Sequence, residues 1–242
     1  MIIFPAIDIR NGKCVRLRQG LASQETVYGD DPAAMGRRWQ EEGAQWLHVV
    51  DLDGAFQARP GNLESIRRLR EAVTIPIQLG GGLRSLETLD LYFDLGLDRL
   101  ILGTALLKDQ DLAARALTRY PGRIALGLDA RDGLLSVEGW TEATRRTAAE
   151  VARELAALKP AAVIYTDISR DGVKRGVNVE ATRALAQAVD LPVIASGGVS
   201  TLMDIRALLP LEPLGVAGVI IGRALYDAAF TLPQALEQAR RT

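Results

Sequence analysis

The chain has 242 residues, is 48% hydrophobic, and sets 29 Lys and Arg against 30 Asp and Glu for a formal net charge of −1. Those proportions allow a large core in one domain, and the balanced charge supplies no global field to recruit nucleic acid or an anionic membrane. A single cysteine, Cys14, excludes an internal disulfide and a cysteine-based metal cluster, and a single histidine, His48, excludes a site built on several imidazoles.

From the N-terminus, Met1-Ile2-Ile3-Phe4-Pro5 lacks a basic leader and meets Asp8 early, and no run of about 18 apolar residues follows. A cytoplasmic protein without a membrane segment is expected. Short apolar or β-branched runs then alternate with stretches of 3.6-residue periodicity, the pattern of parallel strands joined by crossover helices. The runs predict strands over 2–8, 46–51, 75–79, 98–102, 123–129, 161–167, 191–195 and 215–221. Asp31-Pro32 reads as an N-cap followed by proline at the first helical position, with Gly43 at the end of that helix. Asn62, Ser85, Asp109, Asn178 and Thr201 read as N-caps of later helices. Even spacing of strand-helix units predicts a (β/α)8 TIM barrel spanning 1–242; an open doubly wound sheet is the alternative.

An internal repeat favours the closed form. Ala6-Ile7-Asp8-Ile9-Arg10-Asn11-Gly12 returns as Gly127-Leu128-Asp129-Ala130-Arg131-Asp132-Gly133, at an offset of 121 residues. At an offset of 116, Asp51, Asn62, Pro76 and Gly81-Gly82 match Asp167, Asn178, Pro192 and Gly197-Gly198. Gly103-Thr104-Ala105-Leu106 matches Gly222-Arg223-Ala224-Leu225 at 119. Two duplicated (β/α)4 halves, about 1–120 and 121–242, generate a barrel rather than an open Rossmann sheet.

The repeat also locates the chemistry. The third and seventh predicted strands end in Gly80-Gly81-Gly82 and Ser196-Gly197-Gly198, where backbone N–H groups can approach an anion closely. The fourth and eighth end in Gly103-Thr104 and Gly222-Arg223, so each half offers one phosphate cradle, with Arg18, Arg84 and Arg223 as assisting cations. Either glycine loop alone also reads as a tight turn; the matched pair points to a ligand with two phosphates. Between the cradles, Asp8 and Asp129 end the first and fifth strands, and a carboxylate pair whose surroundings separate their proton affinities can serve as acid and base. Which is acid and which is base stays open, and each also reads as a turn cap. His48, in the middle of a strand, reads as packing; Asp51 and Asp167 rank below the first pair. The polar loop 166–176 can fold over a ligand, and Trp140 suits stacking on a flat heterocycle.

Pro5-Ala6-Ile7-Asp8 with Gly12-Lys13-Cys14-Val15-Arg16-Leu17, Val50-Asp51-Leu52-Asp53-Gly54-Ala55, Gly80-Gly81-Gly82-Leu83-Arg84 and Ile221-Gly222-Arg223-Ala224-Leu225-Tyr226 together resemble one family. It is the histidine-biosynthesis isomerases of phosphoribosylformimino-5-aminoimidazole carboxamide ribotide, and the resemblance covers the whole chain. It implies a bisphosphorylated aminoaldose substrate, an Amadori rearrangement to the aminoketose, no cofactor and no metal. Asp8 is then the base at C2′ and Asp129 the acid at the ring oxygen, although in some relatives the aspartate matching Asp171 is the acid. Thr166 matches a threonine that supports the ligand, and Trp140 an aromatic that stacks on it. The cyclase subunit of imidazole glycerol phosphate synthase is the nearest alternative, but its first strand typically reads Cys-Leu-Asp-Val where this chain has Ala6-Ile7-Asp8-Ile9. An isomerase that also takes phosphoribosylanthranilate is a further alternative, and a barrel that only binds phosphorylated metabolites another. A monomer is expected, with neither nucleic acid nor membrane as a partner.

Overall fold

A computed structural model describes residues 1–18, 20–103, 108–131, 133–137, 142–173 and 175–240. In chain order the first half holds β1 (Ile2–Arg10), β2 (Lys13–Arg18), β3 (Leu21–Gly29), α1 (Pro32–Glu41), β4 (Leu47–Asp51), α2 (Leu52–Gln57), α3 (Leu63–Ala72), β5 (Ile77–Gly80), α4 (Leu86–Asp94), β6 (Arg99–Leu102) and α5 (Gln110–Arg119). The second holds β7 (Ile124–Arg131), β8 (Leu134–Val137), β9 (Glu142–Thr147), α6 (Ala148–Ala156), β10 (Ala162–Asp167), α7 (Val179–Ala188), β11 (Val193–Ser196), α8 (Leu202–Leu208), a 3-10 turn (Leu209–Leu214), β12 (Val216–Ile221), α9 (Arg223–Tyr226) and α10 (Leu232–Arg240).

Eight of these strands pair in parallel in the circular order β1-β4-β5-β6-β7-β10-β11-β12, and β12 pairs back onto β1. With helices outside, this is a (β/α)8 TIM barrel. The predicted strands all form, with shifted ends. β5 and β11 begin at Ile77 and Val193, one residue after Pro76 and Pro192, because proline has no N–H to give the ladder. β1 and β7 run on to Arg10 and Arg131 because each is extended by an antiparallel hairpin, β2–β3 and β8–β9, that sequence periodicity did not indicate. β1 turns back into β2 at Asn11-Gly12, both at positive φ (48° and 75°), the backbone that an Asn-Gly pair adopts in a type I′ turn.

Asp31, Ser85, Asp109 and Asn178 accept from backbone N–H groups of the helices they precede. Thr201 is the N-cap of α8 in a capping box, with Asp204 accepting from the Thr201 N–H at 2.8 Å. Asn62 occupies an N-cap position but makes no side-chain bond to its own helix, because its Oδ1 accepts from the Gly12 N–H at 2.8 Å while its amide nitrogen donates to Asp51 and Asp53.

Strand alternation divides the core in two. Ile3, Ile7 and Ile9 point outward to the helices, in a continuous cluster with Trp39, Leu47, Leu69 and Leu79. Phe4, Ala6, Ile101, Ala125, Ala162, Ile164, Ile194 and Ile220 fill the barrel interior. On β1 the same parity carries Phe4 and Ala6 to Asp8, and on β7 it carries Ala125 and Gly127 to Asp129. Both carboxylates therefore stand above the packed interior, at the end where parallel strands deliver their C-termini.

Candidate active site

The C-terminal mouth of the barrel holds a cavity of about 290 Å³ lined by Asp8, Arg16, His48, Asp129, Thr166 and Asp171 and by glycines from both halves. Gly80, Gly81, Gly82 and Gly103 stand on one side, and Gly197, Gly198, Gly222 and Arg223 on the other, so the two loops picked out by the repeat open on one space. β1 and β7 are four strands apart in the eight-strand circle, which puts Asp8 and Asp129 on opposite walls.

Arg16 was not anticipated as a site residue. The β2–β3 hairpin folds it back onto β1, where its Nη1 donates to Asp8 Oδ2 at 2.7 Å and its Nη2 to the Ala6 carbonyl at 2.7 Å. The guanidinium carbon lies 5.2 Å from the centre of the Tyr226 ring, whose hydroxyl donates to the same Ala6 carbonyl at 2.9 Å. The sequence signal for this arrangement is Gly222. A Cβ there would stand 2.6 Å from the Arg16 guanidinium carbon, so the end of β12 makes room for the cation.

Burial raises the Asp8 carboxyl above its usual range, against the pull of Arg16. Asp171 is pushed up to about 6, first by burial and further by the negative charges of Asp8 and Asp129, with Arg16 and the Gly172 N–H opposing. The loop after β10 therefore places a third carboxyl within electrostatic reach of the other two. Thr166, 8% exposed, sits in register with Asp129 on the neighbouring strand. Arg223 donates to the Gly172 carbonyl at 2.9 Å and pairs with Asp227 at 3.0 Å, tying the end of β12 to the loop that carries Asp171.

The glycine loops have a steric cause independent of any ligand. Gly81 and Gly197 have φ of +104° and +88°, and a Cβ on either would approach the carbonyl of Asp51 or Asp167, at 2.2 and 2.7 Å. The side chains of those two aspartates clamp the segments after β4 and β10 on which the glycine loops rest. Asp51 accepts from the N–H groups of Gly54, Gly61 and Asn62 and from the Asn62 amide at 2.7 Å. Asp167 accepts from Ser169 and from the Asn178 amide, also at 2.7 Å. The 116-residue repeat thus preserves an Asp–Asn clamp in the segment beneath each glycine loop, and neither aspartate is among the cavity-lining residues. Thr104, Trp140 and the side chain of Arg18 lie outside the described residues.

A family profile described as "Histidine biosynthesis protein" matches residues 2–231. A protein of Syntrophotalea carbinolica is 52% identical over 236 residues, 98% of this chain and 97% of its own length. One from Syntrophus aciditrophicus is 52% identical, covering 99% of each chain, and one from Geobacter sulfurreducens is 49% identical, covering 100% of this chain and 99% of its own. All three are named as the isomerase of 1-(5-phosphoribosyl)-5-((5-phosphoribosylamino)methylideneamino)imidazole-4-carboxamide. With the repeat-related loops facing one cavity, and the profile and relatives running nearly end to end, the chain belongs to the histidine biosynthesis protein family.

Proposed function

We propose that this chain is an intramolecular aldose-ketose isomerase that converts the bisphosphorylated aminoaldose named for its relatives into the aminoketose. The observation that carries the reading is the clustering of Asp8, Asp129 and Asp171 with the buried Arg16 guanidinium in a mouth flanked by two glycine loops. Each loop, Gly81-Gly82 with Gly103 and Gly197-Gly198 with Gly222-Arg223, is taken to hold one phosphate of the substrate through backbone N–H groups. One barrel of two halves, about 1–120 and 121–242, is then one catalytic unit, because each half contributes one cradle.

The ion pair with Arg16 favours the ionised form of Asp8, which suits it to take the proton from C2′. The acid is drawn from Asp129 and Asp171, and the raised proton affinity of Asp171 favours that residue, with Asp129 helping to hold it protonated. Protonation of the ring oxygen breaks its bond to C1′ and leaves a Schiff base. Loss of the C2′ proton to Asp8 gives the enolamine; return of that proton at C1′, with loss of the C2′ hydroxyl proton that restores the acid, gives the ketose, so no atom is gained or lost. Thr166 supports the ligand beside Asp129, and Trp140 is taken as the ring that stacks on the heterocycle.

The test is to incubate purified protein with the aminoaldose and follow ketose formation directly. Conversion supports the isomerase; binding without conversion overturns it in favour of a phosphometabolite-binding barrel. Turnover of phosphoribosylanthranilate in parallel would widen the substrate range, and consumption of the ketose with ammonia would reassign the chain as a cyclase.

A further inference from the structure

A cavity with two like phosphate cradles faces a problem of direction, since a molecule carrying a phosphate at each end fits it both ways round and only one way sets the reacting ribose against Asp8. The barrel interior is not symmetric in this respect. His48 on β4 faces the cavity, and its Nδ1 lies 2.9 Å from the Gln78 amide nitrogen on β5. The Gln78 oxygen accepts from Arg99 Nε at 3.0 Å and from Nη2 at 2.6 Å, which fixes the amide with its nitrogen toward the imidazole. Arg99 is itself held against the Trp46 ring, 4.5 Å from its centre, and against Phe4 at 5.8 Å. In the second half the residues at the matching positions are Ile164 and Ile194, and the register partner corresponding to Arg99 is Gly218. The polar chain exists on one side only.

Because the Gln78 nitrogen donates, Nδ1 must be the bare, accepting nitrogen, and the ring proton sits on Nε2. Nε2 has no partner among the described residues and is absent from the fully buried unpartnered atoms, so it is reached from the cavity. Burial, aided by Arg16 and Arg99, pushes His48 down to about 3, which keeps the ring neutral.

We propose that Gln78 and Arg99 are positioning residues that lock His48 in the Nε2–H form, and that this one-sided donor, meeting a ligand oxygen, sets the direction in which the bisphosphate lies. The proposal rests on the isomerase reading for its kinetic consequence but not for its first test.

That test uses ligand-free, 15N-labelled full-length protein, in which His48 is the only histidine and gives the only imidazole signals. The wild type is expected to show a protonated Nε2 and a bare Nδ1 from pH 8 to pH 5. Gln78→Glu keeps Arg99 paired but presents an acceptor to Nδ1, and the proton is expected to appear there. A wild-type ring protonated on Nδ1, or an unchanged tautomer in the variant, would overturn the lock.

The second test compares His48→Ile, which copies the second half's Ile164, with wild type on the aminoaldose. Loss of direction lets both orientations populate, so kcat is expected to fall about 2-fold while the weakened productive mode raises KM several-fold. A rise in KM alone would show uniform binding, and a loss of thermal stability with unchanged kcat and KM would show a packing role; either overturns the directional role. If wild type fails to turn over the aminoaldose, the isomerase reading fails, and the tautomer measurement still decides on the lock.

Discussion

Asp171→Asn is expected to make the protein more stable and less active at the same time. Holding this carboxyl at about 6 rather than the ordinary 3.8 means that ionising it in the folded protein costs about 3 kcal/mol, at about 1.4 kcal/mol per tenfold change in affinity. The folded state binds the proton more tightly than the unfolded chain. Asp171 therefore favours folding below pH 4, and that contribution is lost as pH rises toward and through about 6. Asparagine carries no such charge and can still accept from the Gly172 N–H. Urea unfolding of both proteins from pH 4 to pH 8 should show the variant gaining on wild type by up to about 3 kcal/mol, levelling off above pH 7. Over the same range kcat/KM of wild type is expected to decline above pH 6 as the acid ionises, and the variant to lose a factor of about 10²–10⁴. A stability difference that does not change with pH would refute the electrostatic account of this site.

Asp8→Asn keeps the shape but removes the basic oxygen, and turnover is expected to fall about 10²–10⁴-fold with the folded spectrum retained; near-wild-type turnover would remove Asp8 from the base role. Gly222→Ala brings a methyl within 2.6 Å of the Arg16 guanidinium, a flexible group that can swing away, so the effect should fall on the ion pair rather than on the fold. With Arg16 displaced, Asp8 holds its proton more tightly, and the acidic limb of the kcat/KM profile should move to higher pH. Asp51→Ala strands the N–H groups of Gly54, Gly61 and Asn62 beneath the first glycine loop and is expected to cost about 3 kcal/mol or more in urea unfolding. Unchanged stability would dismiss the clamp.

The barrel was legible because two signals agree in this chain. Strand parity carries Phe4 and Ala6 to Asp8, and the repeat carries Asp8 to Asp129 and one glycine loop to the other. Asp171 was legible only through the family resemblance, since a lone aspartate in a polar loop has no periodicity to place it. Arg16 was not legible at all: it reaches Asp8 through a hairpin turn, and the glycine that admits it lies more than 200 residues away, just after β12. In the sequence the lone histidine reads as packing because a strand interior normally buries its side chains. It is packed, against Gln78, yet its other nitrogen meets the cavity. The glycine loops show the opposite lesson, because glycine is required at Gly81 and Gly197 by the close approach of the Asp51 and Asp167 carbonyls, with or without an anion. Anion binding there has to be measured rather than read from the glycines alone.

The most direct measurement is a structure of the protein with the bisphosphorylated aminoketose bound. One phosphate is expected at Gly81-Gly82 and Gly103, the other at Gly197-Gly198 and Gly222-Arg223, with the ketose carbon that was C2′ facing the Asp8 carboxylate roughly 3 Å away and Asp171 on the opposite side of the opened ribose. Phosphates bound elsewhere, or Asp8 turned from that carbon with Arg16 between them, would contradict the account.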